Sequence, residues 1–255
     1  MALLRCDFFS ETLEMGTSMT VLLPQAGEEQ VGVTGRATAG GDGFPVLYLL
    51  HGLSDDGSAW LRFSSVERYV APLGLAVVMP QVHRSFYADE VHGGRYWTFL
   101  SEELPVVVGS FFRVSPHRED TFVAGLSMGG YGALKWALHQ PGRFAAAASL
   151  SGALDVAALS EEPWRRELFE RVFAGPVGPG DDLFALLAAA EAPSLPSLYV
   201  GCGTEDHLLG STTRFTEAAT VAGLDVRVDL RAGGHEWEVW DRMLPDVLAW
   251  LPLRG

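Results

Sequence analysis

The chain has 255 residues, of which 48% are hydrophobic and 20% are charged, a composition that supports one large folded domain and excludes global disorder. Its 32 acidic residues outnumber its 18 basic residues and give a net charge of −14, which opposes binding to nucleic acids and to anionic membranes. We therefore expect neither a nucleic acid nor a membrane as partner, whereas a homo-oligomer is compatible with this composition.

The two cysteines and the N-terminal residues bear on the cellular environment. Cys6 and Cys202 lie far apart and form neither a disulfide framework nor a zinc-binding pair, so we expect buried, inert thiols. Residues 1–7 lack the charged and apolar segments of a secretion signal, and no apolar run reaches membrane-spanning length. The expected location is cytoplasmic.

The first part of the chain predicts an antiparallel hairpin followed by a loop. Two β-prone stretches, Arg5 to Leu13 and Thr17 to Leu23, flank a turn predicted around Met15 and Gly16. The stretch from Gly27 to Gly43 is rich in Gly, Ala and Thr and has little hydrophobic pattern. We expect it to form a loop with at most one edge strand.

From residue 46 onward, apolar runs of strand length alternate with stretches of helical composition. Continuous apolar runs such as Val46 to Leu50 are typical of strands buried on both faces of a parallel sheet. The predicted strands cover 46–50, 75–79, 121–124, 144–150, 197–203 and 224–230, and the predicted helices cover 59–63, 66–73, 98–114, 131–139, 211–222 and 238–251. Pro105 is expected to break or kink the helix over 98–114. This order predicts an α/β fold with a mostly parallel, doubly wound sheet of about eight strands and antiparallel N-terminal strands.

Residues 153–196 interrupt this alternation. The segment contains two predicted helices, 163–173 and 182–190, separated by the sequence Gly-Pro-Val-Gly-Pro-Gly. We interpret it as a cap-like helical insertion into a single domain that spans residues 1–255. Excursions of this kind often shape access to a site.

The sequence Gly-Leu-Ser-Met-Gly at 125–129 follows a predicted strand and precedes a predicted helix. In that context a G-x-S-x-G turn holds its serine in a strained conformation and exposes the hydroxyl. We therefore predict that Ser127 is a nucleophile. A serine hydroxyl reacts poorly near neutral pH, so it needs a base, and the base needs an orienting acid.

Three histidines follow Ser127 in the chain. His139 lies on the helix after the serine and is expected to point away from the loops. His235 follows a predicted strand near the end of the chain, in the order that serine hydrolases of this fold class require, so we predict that it is the base. His207 is the second candidate.

The candidate acid is Asp206, which follows the strand that ends at Gly203. Its neighbour Glu205 is a rival, because a one-residue change in a loop reverses which side chain faces the site, and Asp155 is a weaker rival. Backbone N–H groups that stabilise an oxyanion come from the residue after the nucleophile and from a loop after an early strand, here Met128 and Leu53.

Aromatic residues near these loops are candidates for an apolar substrate pocket. From a set that also includes Tyr87 and Trp240, we select Trp60, Tyr96, Trp97 and Trp237. The histidines and cysteines show no metal-ligand spacing, so we expect no metal and no cofactor.

Four motifs carry a resemblance to a known family. They read G-L-S-M-G-G-Y-G-A at 125–133, H-G-L-S-D-D at 51–56, C-G-T-E-D at 202–206 and G-G-H-E-W at 233–237. Together they resemble the esterase D-like group of α/β-hydrolases, most closely its small bacterial tributyrin-esterase-like and feruloyl-esterase-like members. The resemblance implies an α/β-hydrolase fold, a triad of Ser127, Asp206 and His235, and oxyanion donors at Leu53 and Met128. It also favours Asp206 over Glu205.

These observations predict a serine carboxylesterase that hydrolyses short-chain esters of small molecules through an acyl-enzyme. Alternatives are the hydrolysis of feruloyl or acetylxylan-type sugar esters, S-formylglutathione-type thioester hydrolysis, and a non-catalytic binding protein of the same fold. S-formylglutathione hydrolases carry a threonine-cysteine-containing oxyanion stretch and a histidine followed by small polar residues. The Ser54-Asp55 and Glu236-Trp237 pairs of this chain depart from both patterns, which disfavours the thioester activity.

Overall fold

The computed structural model describes residues 1–27, 31, 34–37, 41–191 and 194–254. Much of the predicted loop between Gly27 and Gly43 lies outside the described residues, as do two residues of the segment 153–196. In the described part of that loop, Gly27 and Gly35 form an isolated antiparallel bridge.

Eight strands form one sheet in the order β1-β2-β4-β3-β5-β6-β7-β8. Their bounds are β1 Ala2–Ser10, β2 Met15–Leu23, β3 Val46–Leu50, β4 Ala76–Pro80, β5 Thr121–Leu126, β6 Ala146–Leu150, β7 Ser197–Gly203 and β8 Val226–Arg231. The β1–β2 and β2–β4 pairs are antiparallel, and the other pairs are parallel. The predicted fold class is confirmed, including the antiparallel N-terminal strands.

Helices cover both faces of this sheet. The α-helices are α1 Ala59–Phe63, α2 Val66–Val70, α3 Tyr96–Thr98, α4 Leu104–Phe111, α5 Met128–His139, α6 Val156–Ser160, α7 Arg166–Phe173, α8 Leu183–Ala189, α9 Leu209–Val221 and α10 Trp237–Trp250. Short 3₁₀ turns cover Ala71–Leu73, Arg118–Asp120 and Pro163–Arg165. None of the helices in the described ranges combines the length and apolar composition needed to cross a bilayer.

Alternate residues of β3 pack into two separate cores. Val46, Tyr48 and Leu50 join the core that includes Trp136 of α5. Leu47 and Leu49 join the opposite core, which contains buried residues of α1, α2 and α10. Because successive side chains of a strand point to opposite faces, a strand covered on both sides must be apolar throughout.

The turn of the hairpin lies earlier than predicted. Strand β1 ends at Ser10 and β2 begins at Met15, so the turn covers residues 11–14 rather than Met15 and Gly16. The cause is Glu103, whose carboxylate accepts hydrogen bonds from the Ser10 hydroxyl and from the backbone N–H of Glu11. An anchor that lies more than ninety residues away leaves no signal in the local sequence.

The helix predicted over 98–114 also differs in detail. A continuous helical segment runs from Tyr96 through a π-helical stretch, Phe99–Glu103, to the end of α4 at Phe111. Pro105 is the second residue of α4, which begins where the π stretch ends. It has no N–H to bond the carbonyl four residues earlier, and the wider π turn accommodates it without ending the helix.

The segment 153–196 contains α6, α7 and α8, and hydrogen bonds hold it against α5. Lys135 of α5, which is fully buried, donates to Asp181 Oδ1 at 2.5 Å and to the Tyr87 carbonyl at 2.8 Å. The Tyr131 hydroxyl donates to the Asp181 carbonyl at 2.7 Å. These bonds fix the start of α8 against the helix that follows Ser127.

Candidate active site

Ser127 lies between β5 and α5, in the sharp turn that its sequence predicts. Its backbone has φ 53° and ψ −118°, a conformation that is costly for a residue with a Cβ atom. The turn closes only because its neighbours are glycines. A Cβ atom on Gly129 would lie 2.4 Å from the Leu50 carbonyl oxygen, and one on Gly125 would lie 2.3 Å from the Gly129 carbonyl oxygen.

Ser127, His235 and Asp206 form a continuous chain of hydrogen bonds. The distance from Ser127 Oγ to His235 Nε2 is 3.0 Å, and the distance from His235 Nδ1 to Asp206 Oδ2 is 2.9 Å. The three residues follow β5, β8 and β7, so the carboxyl ends of parallel strands bring them together.

The environment of Asp206 fixes the roles of the two imidazole nitrogens. Burial opposes ionisation of Asp206, but hydrogen bonds from His235 and from the Leu208 N–H outweigh it and hold the pKa of this carboxyl below its ordinary value. An ionised carboxylate only accepts hydrogen bonds. Nδ1 of His235 therefore donates to Asp206, and Nε2 is left to accept the proton of Ser127.

The rival acids lie elsewhere. Glu205 accepts hydrogen bonds from the Thr204 hydroxyl and the Gly233 N–H. Asp155 accepts the Ala158 N–H at the start of α6 and forms an ion pair with Arg214 at 2.6 Å. In the described part of the chain, neither carboxylate forms a hydrogen bond or an ion pair with a histidine.

The other two histidines that follow Ser127 in the chain occupy different positions. His139 Nε2 lies 2.7 Å from the Gly180 carbonyl oxygen, away from Ser127. His207 stays close, with its ring centroid 4.8 Å from that of His235 and its Nδ1 3.5 Å from Asp206 Oδ1. Burial and the charge of His235 lower the pKa of the His207 imidazole.

A cavity of about 410 Å³ opens beside Ser127. Its polar lining residues are Ser54, Arg84, Ser127, Arg165, His207 and His235, and its apolar lining residues are Leu53, Phe86, Met128, Ala153, Trp164 and Leu208. Within the described part of the chain, the backbone N–H groups of Leu53 and Met128 have no hydrogen-bond acceptor. Both are thus available to a ligand in the cavity.

His51 supports the loop that carries Leu53. It is 1% exposed, its Nδ1 donates to the Gly52 carbonyl at 2.8 Å, and its Nε2 accepts the Val82 N–H at 3.2 Å. The Tyr87 hydroxyl donates to the His51 carbonyl at 2.9 Å. Burial lowers the pKa of His51 to about 4, so this imidazole is neutral at pH 7.

None of the four aromatic residues selected from the sequence lines this cavity. Trp60 is 1% exposed in a core and donates its Nε1–H to the Leu50 carbonyl. Tyr96 packs on His83, and the Trp97 ring lies under the ammonium group of Lys135. Trp237 packs between Trp60 and Trp240. Trp60 and Tyr96 are buried, and Trp97 and Trp237 are partly buried against the two cores, so each ring packs within the protein rather than in the cavity wall.

Comparison with protein-family models shows the family to which this chain belongs. The model of the Esterase family ("Putative esterase") matches residues 16–251, which is nearly the whole chain. The chain belongs to this esterase family. An acetyl esterase of Caldicellulosiruptor saccharolyticus is 28% identical to it over 264 residues, an alignment that covers 98% of each chain.

Two solved structures from Staphylococcus aureus are similar to this esterase. The fluorophosphonate-binding serine hydrolase F (FphF), solved with substrate bound, is 30% identical, covers 98% of each chain and superposes with a TM-score of 0.87. An S-formylglutathione hydrolase (FrmB) apoenzyme is 30% identical with the same coverage and a TM-score of 0.84. The resemblance to the esterase D-like group is confirmed, and the chain is a carboxylesterase-type serine hydrolase.

The cavity wall of the esterase contains several residues that were not predicted, among them Arg84, Phe86, Trp164 and Arg165. The first two belong to a segment in which His83, Phe86 and Tyr87 all have φ near 50°. Non-glycine residues in this left-handed region are uncommon and often occur at functional sites. Histidine is enriched in this region, but phenylalanine and tyrosine are not, so the sequence does not predict this conformation at Phe86 and Tyr87.

Among the described residues, Asp206, His207 and His235 form a group of potential metal ligands whose donor atoms lie within 4.8 Å of one another. Two of its members, His235 and Asp206, are joined to each other by the hydrogen bond from His235 Nδ1 to Asp206 Oδ2.

Proposed function

We propose that this esterase hydrolyses short-chain carboxylic esters through an acyl-enzyme formed on Ser127. The observation that carries the proposal is the chain of hydrogen bonds from Ser127 through His235 to Asp206, at 3.0 and 2.9 Å. These distances are within the range in which a base removes the proton of a nucleophile.

In the first half of the reaction, His235 Nε2 takes the Ser127 proton while Oγ attacks the ester carbonyl carbon. The carbonyl oxygen becomes an oxyanion, which accepts the backbone N–H groups of Leu53 and Met128. His235, now an imidazolium stabilised by Asp206, gives its proton to the leaving alcohol. The alcohol departs and leaves the acyl group on Ser127.

In the second half, water replaces the alcohol. His235 removes a proton from the water, which attacks the acyl carbon, and the same backbone N–H groups bind the second oxyanion. Proton transfer back to Ser127 releases the carboxylic acid. Every proton in this cycle moves through His235 Nε2, and none passes to Asp206.

Three observations support a short acyl chain. The cavity beside Ser127 is about 410 Å³, near the small end of the range for ligand sites. Trp164 and Arg165, which line it, belong to the segment 153–196, in keeping with our proposal that this cap-like segment shapes access. A relative that aligns with the chain over nearly its full length is an acetyl esterase.

Thioester hydrolysis is a second candidate function. The similarity to a solved S-formylglutathione hydrolase, at 30% identity, favours it. The Ser54-Asp55 and Glu236-Trp237 pairs weigh against it, because this is where the chain departs from the pattern of those enzymes. Turnover of S-formylglutathione, compared with that of simple oxygen esters, distinguishes the two candidates.

The proposal is tested with 4-nitrophenyl acetate, butyrate and octanoate. We expect kcat/KM to be highest for the two shorter esters, and Ser127→Ala to abolish turnover of all three. A preference for octanoate would contradict the size argument, and turnover that survives Ser127→Ala would contradict the mechanism.

A further inference from the structure

The cavity beside Ser127 is lined by basic rather than acidic side chains, unlike the chain as a whole. The chain carries a net charge of −14, yet two arginines, Arg84 and Arg165, line this cavity. Among the described residues that line it, there is no aspartate or glutamate. Glu162 offsets part of the charge of Arg165, and a small cavity concentrates the field of the remaining charge on its contents.

Arg165 is the more informative of the two arginines. Its side chain is 8% exposed, and its guanidinium carbon lies 4.0 Å from the centroid of the Trp164 ring. Glu162 Oε2 accepts the Nε–H at 2.8 Å. No described residue accepts a hydrogen bond from the two Nη groups, so within the described part of the chain the donors at the end of this largely buried side chain have no partner.

The chemistry proposed for Ser127 makes no use of this positive charge. Arginine is the side chain best suited to a carboxylate, because two parallel N–H groups match its two oxygens.

We propose that this esterase prefers substrates that carry a carboxylate on the acyl or the alcohol part, bound by the two Nη groups of Arg165. Stacking on Trp164 fixes the plane of the guanidinium, and Arg84, which is exposed, attracts the anion at the cavity edge. This substrate class rests on the proposed function, since it concerns the same cavity and the same nucleophile.

Matched substrate pairs test the proposal. One pair places the charge on the acyl side, 4-nitrophenyl hydrogen glutarate and its methyl ester, and the other places it on the alcohol side, 4-acetoxybenzoate and its methyl ester. The background hydrolysis of each compound is measured without enzyme and subtracted, and kcat/KM is then compared within each pair. In at least one pair we expect the carboxylate to be preferred by about 10- to 100-fold, as for a charge-assisted hydrogen bond, with the preference falling as salt is added.

Arg165→Met and Arg166→Met are the matched variants. Arg166 is the next residue, is exposed and does not line the cavity, so its replacement removes the same charge without touching the site. We expect Arg165→Met to bring the carboxylate-to-ester ratio near one and Arg166→Met to leave it unchanged. Because the readout is a ratio, partial loss of folded protein cancels.

The outcomes separate this inference from the proposed function. Turnover of the neutral esters without any carboxylate preference in the wild type overturns the inference and leaves the proposed function standing. A preference that survives in Arg165→Met also overturns it. If the wild type hydrolyses none of the four compounds, both the inference and the proposed function fail. The salt dependence of the wild type provides a test that requires no variant.

Discussion

Glu205 and Asp206 are neighbours in sequence, but their carboxylates bind different parts of the same loop. Asp206 accepts the Nδ1–H of His235 at 2.9 Å, whereas Glu205 accepts the backbone N–H of Gly233, two residues before that histidine. One carboxylate therefore orients the imidazole, and the other holds the loop that carries it.

This division of roles predicts unequal effects of two conservative changes. Asp206→Asn replaces the carboxylate that accepts the His235 Nδ1–H with an amide. The amide allows the tautomer of His235 that carries its proton on Nε2 and cannot accept one from Ser127, so we expect kcat to fall by about 10⁴-fold. Glu205→Gln keeps an oxygen that can accept the Gly233 N–H, and we expect a loss of less than about 10-fold. Steady-state kinetics on one ester compares the variants. A larger loss for Glu205→Gln would mean that the wrong acid has been assigned.

The buried His51 predicts a loss of stability in acid. Its pKa is about 4 in the folded protein and about 6.5 in an unfolded chain, so the unfolded state binds more protons between these values. The contribution of His51 to the free energy of unfolding is fully present above about pH 6.5. It decreases as the pH drops, and about 3 kcal/mol is lost at pH 4.

The matched variant for this prediction is His51→Gln, which cannot titrate. Denaturant unfolding at pH 7 and pH 4 gives the free energy of unfolding of both proteins. The variant is expected to be less stable at pH 7, because a glutamine side chain does not reproduce both hydrogen bonds of the imidazole. On acidification to pH 4, its free energy of unfolding should fall by about 3 kcal/mol less than that of the wild type. Equal acid sensitivity of the two proteins would contradict the role of His51.

A close backbone approach predicts that Gly129 is irreplaceable. A Cβ atom there would lie 2.4 Å from the Leu50 carbonyl oxygen, which belongs to a buried strand and cannot move freely. We expect Gly129→Ala to destabilise the fold by about 1–3 kcal/mol or more and to reduce turnover by displacing Ser127. Gly142→Ala is the control, because a Cβ there would meet nothing within 4 Å. Thermal melts and ester turnover that do not distinguish the two variants would refute the prediction.

The ion pair between Lys135 and Asp181 predicts that substitutions of the two residues have coupled effects on the free energy of unfolding. Lys135 is buried on α5, and Asp181, which accepts its hydrogen bond, lies in the segment 153–196. Lys135→Met leaves a partly buried carboxylate without its partner, so we expect a loss of about 3 kcal/mol. The double variant Lys135→Met/Asp181→Asn should lose less than the sum of the single changes. Strictly additive free energies of unfolding would show that the pair is not coupled.

Much of this architecture follows from the sequence because its causes are local. The apolar run of Val46 to Leu50 specifies a strand buried on both faces, and the glycines around Ser127 specify a tight turn. The order of Ser127, Asp206 and His235 at the ends of strands led to the three residues that the structure joins by hydrogen bonds.

Features with distant causes were not predicted. The position of the hairpin turn depends on Glu103, which is distant in sequence. The cavity wall includes Trp164 and Arg165, which belong to the segment 153–196, outside the strand–helix alternation that predicts the sheet. The four selected aromatic residues illustrate the same limit. Proximity in sequence to a motif does not determine whether a ring faces the cavity or the core, since the packing of both faces of the sheet decides it.

The most direct test of the mechanism is to locate the covalent adduct of a fluorophosphonate probe by mass spectrometry of the digested wild-type protein. We predict a single modification, on Ser127, at a rate that falls sharply in Asp206→Asn. An adduct on any other residue, or an unmodified Ser127 in protein that hydrolyses esters, would contradict the assignment of Ser127 as the nucleophile.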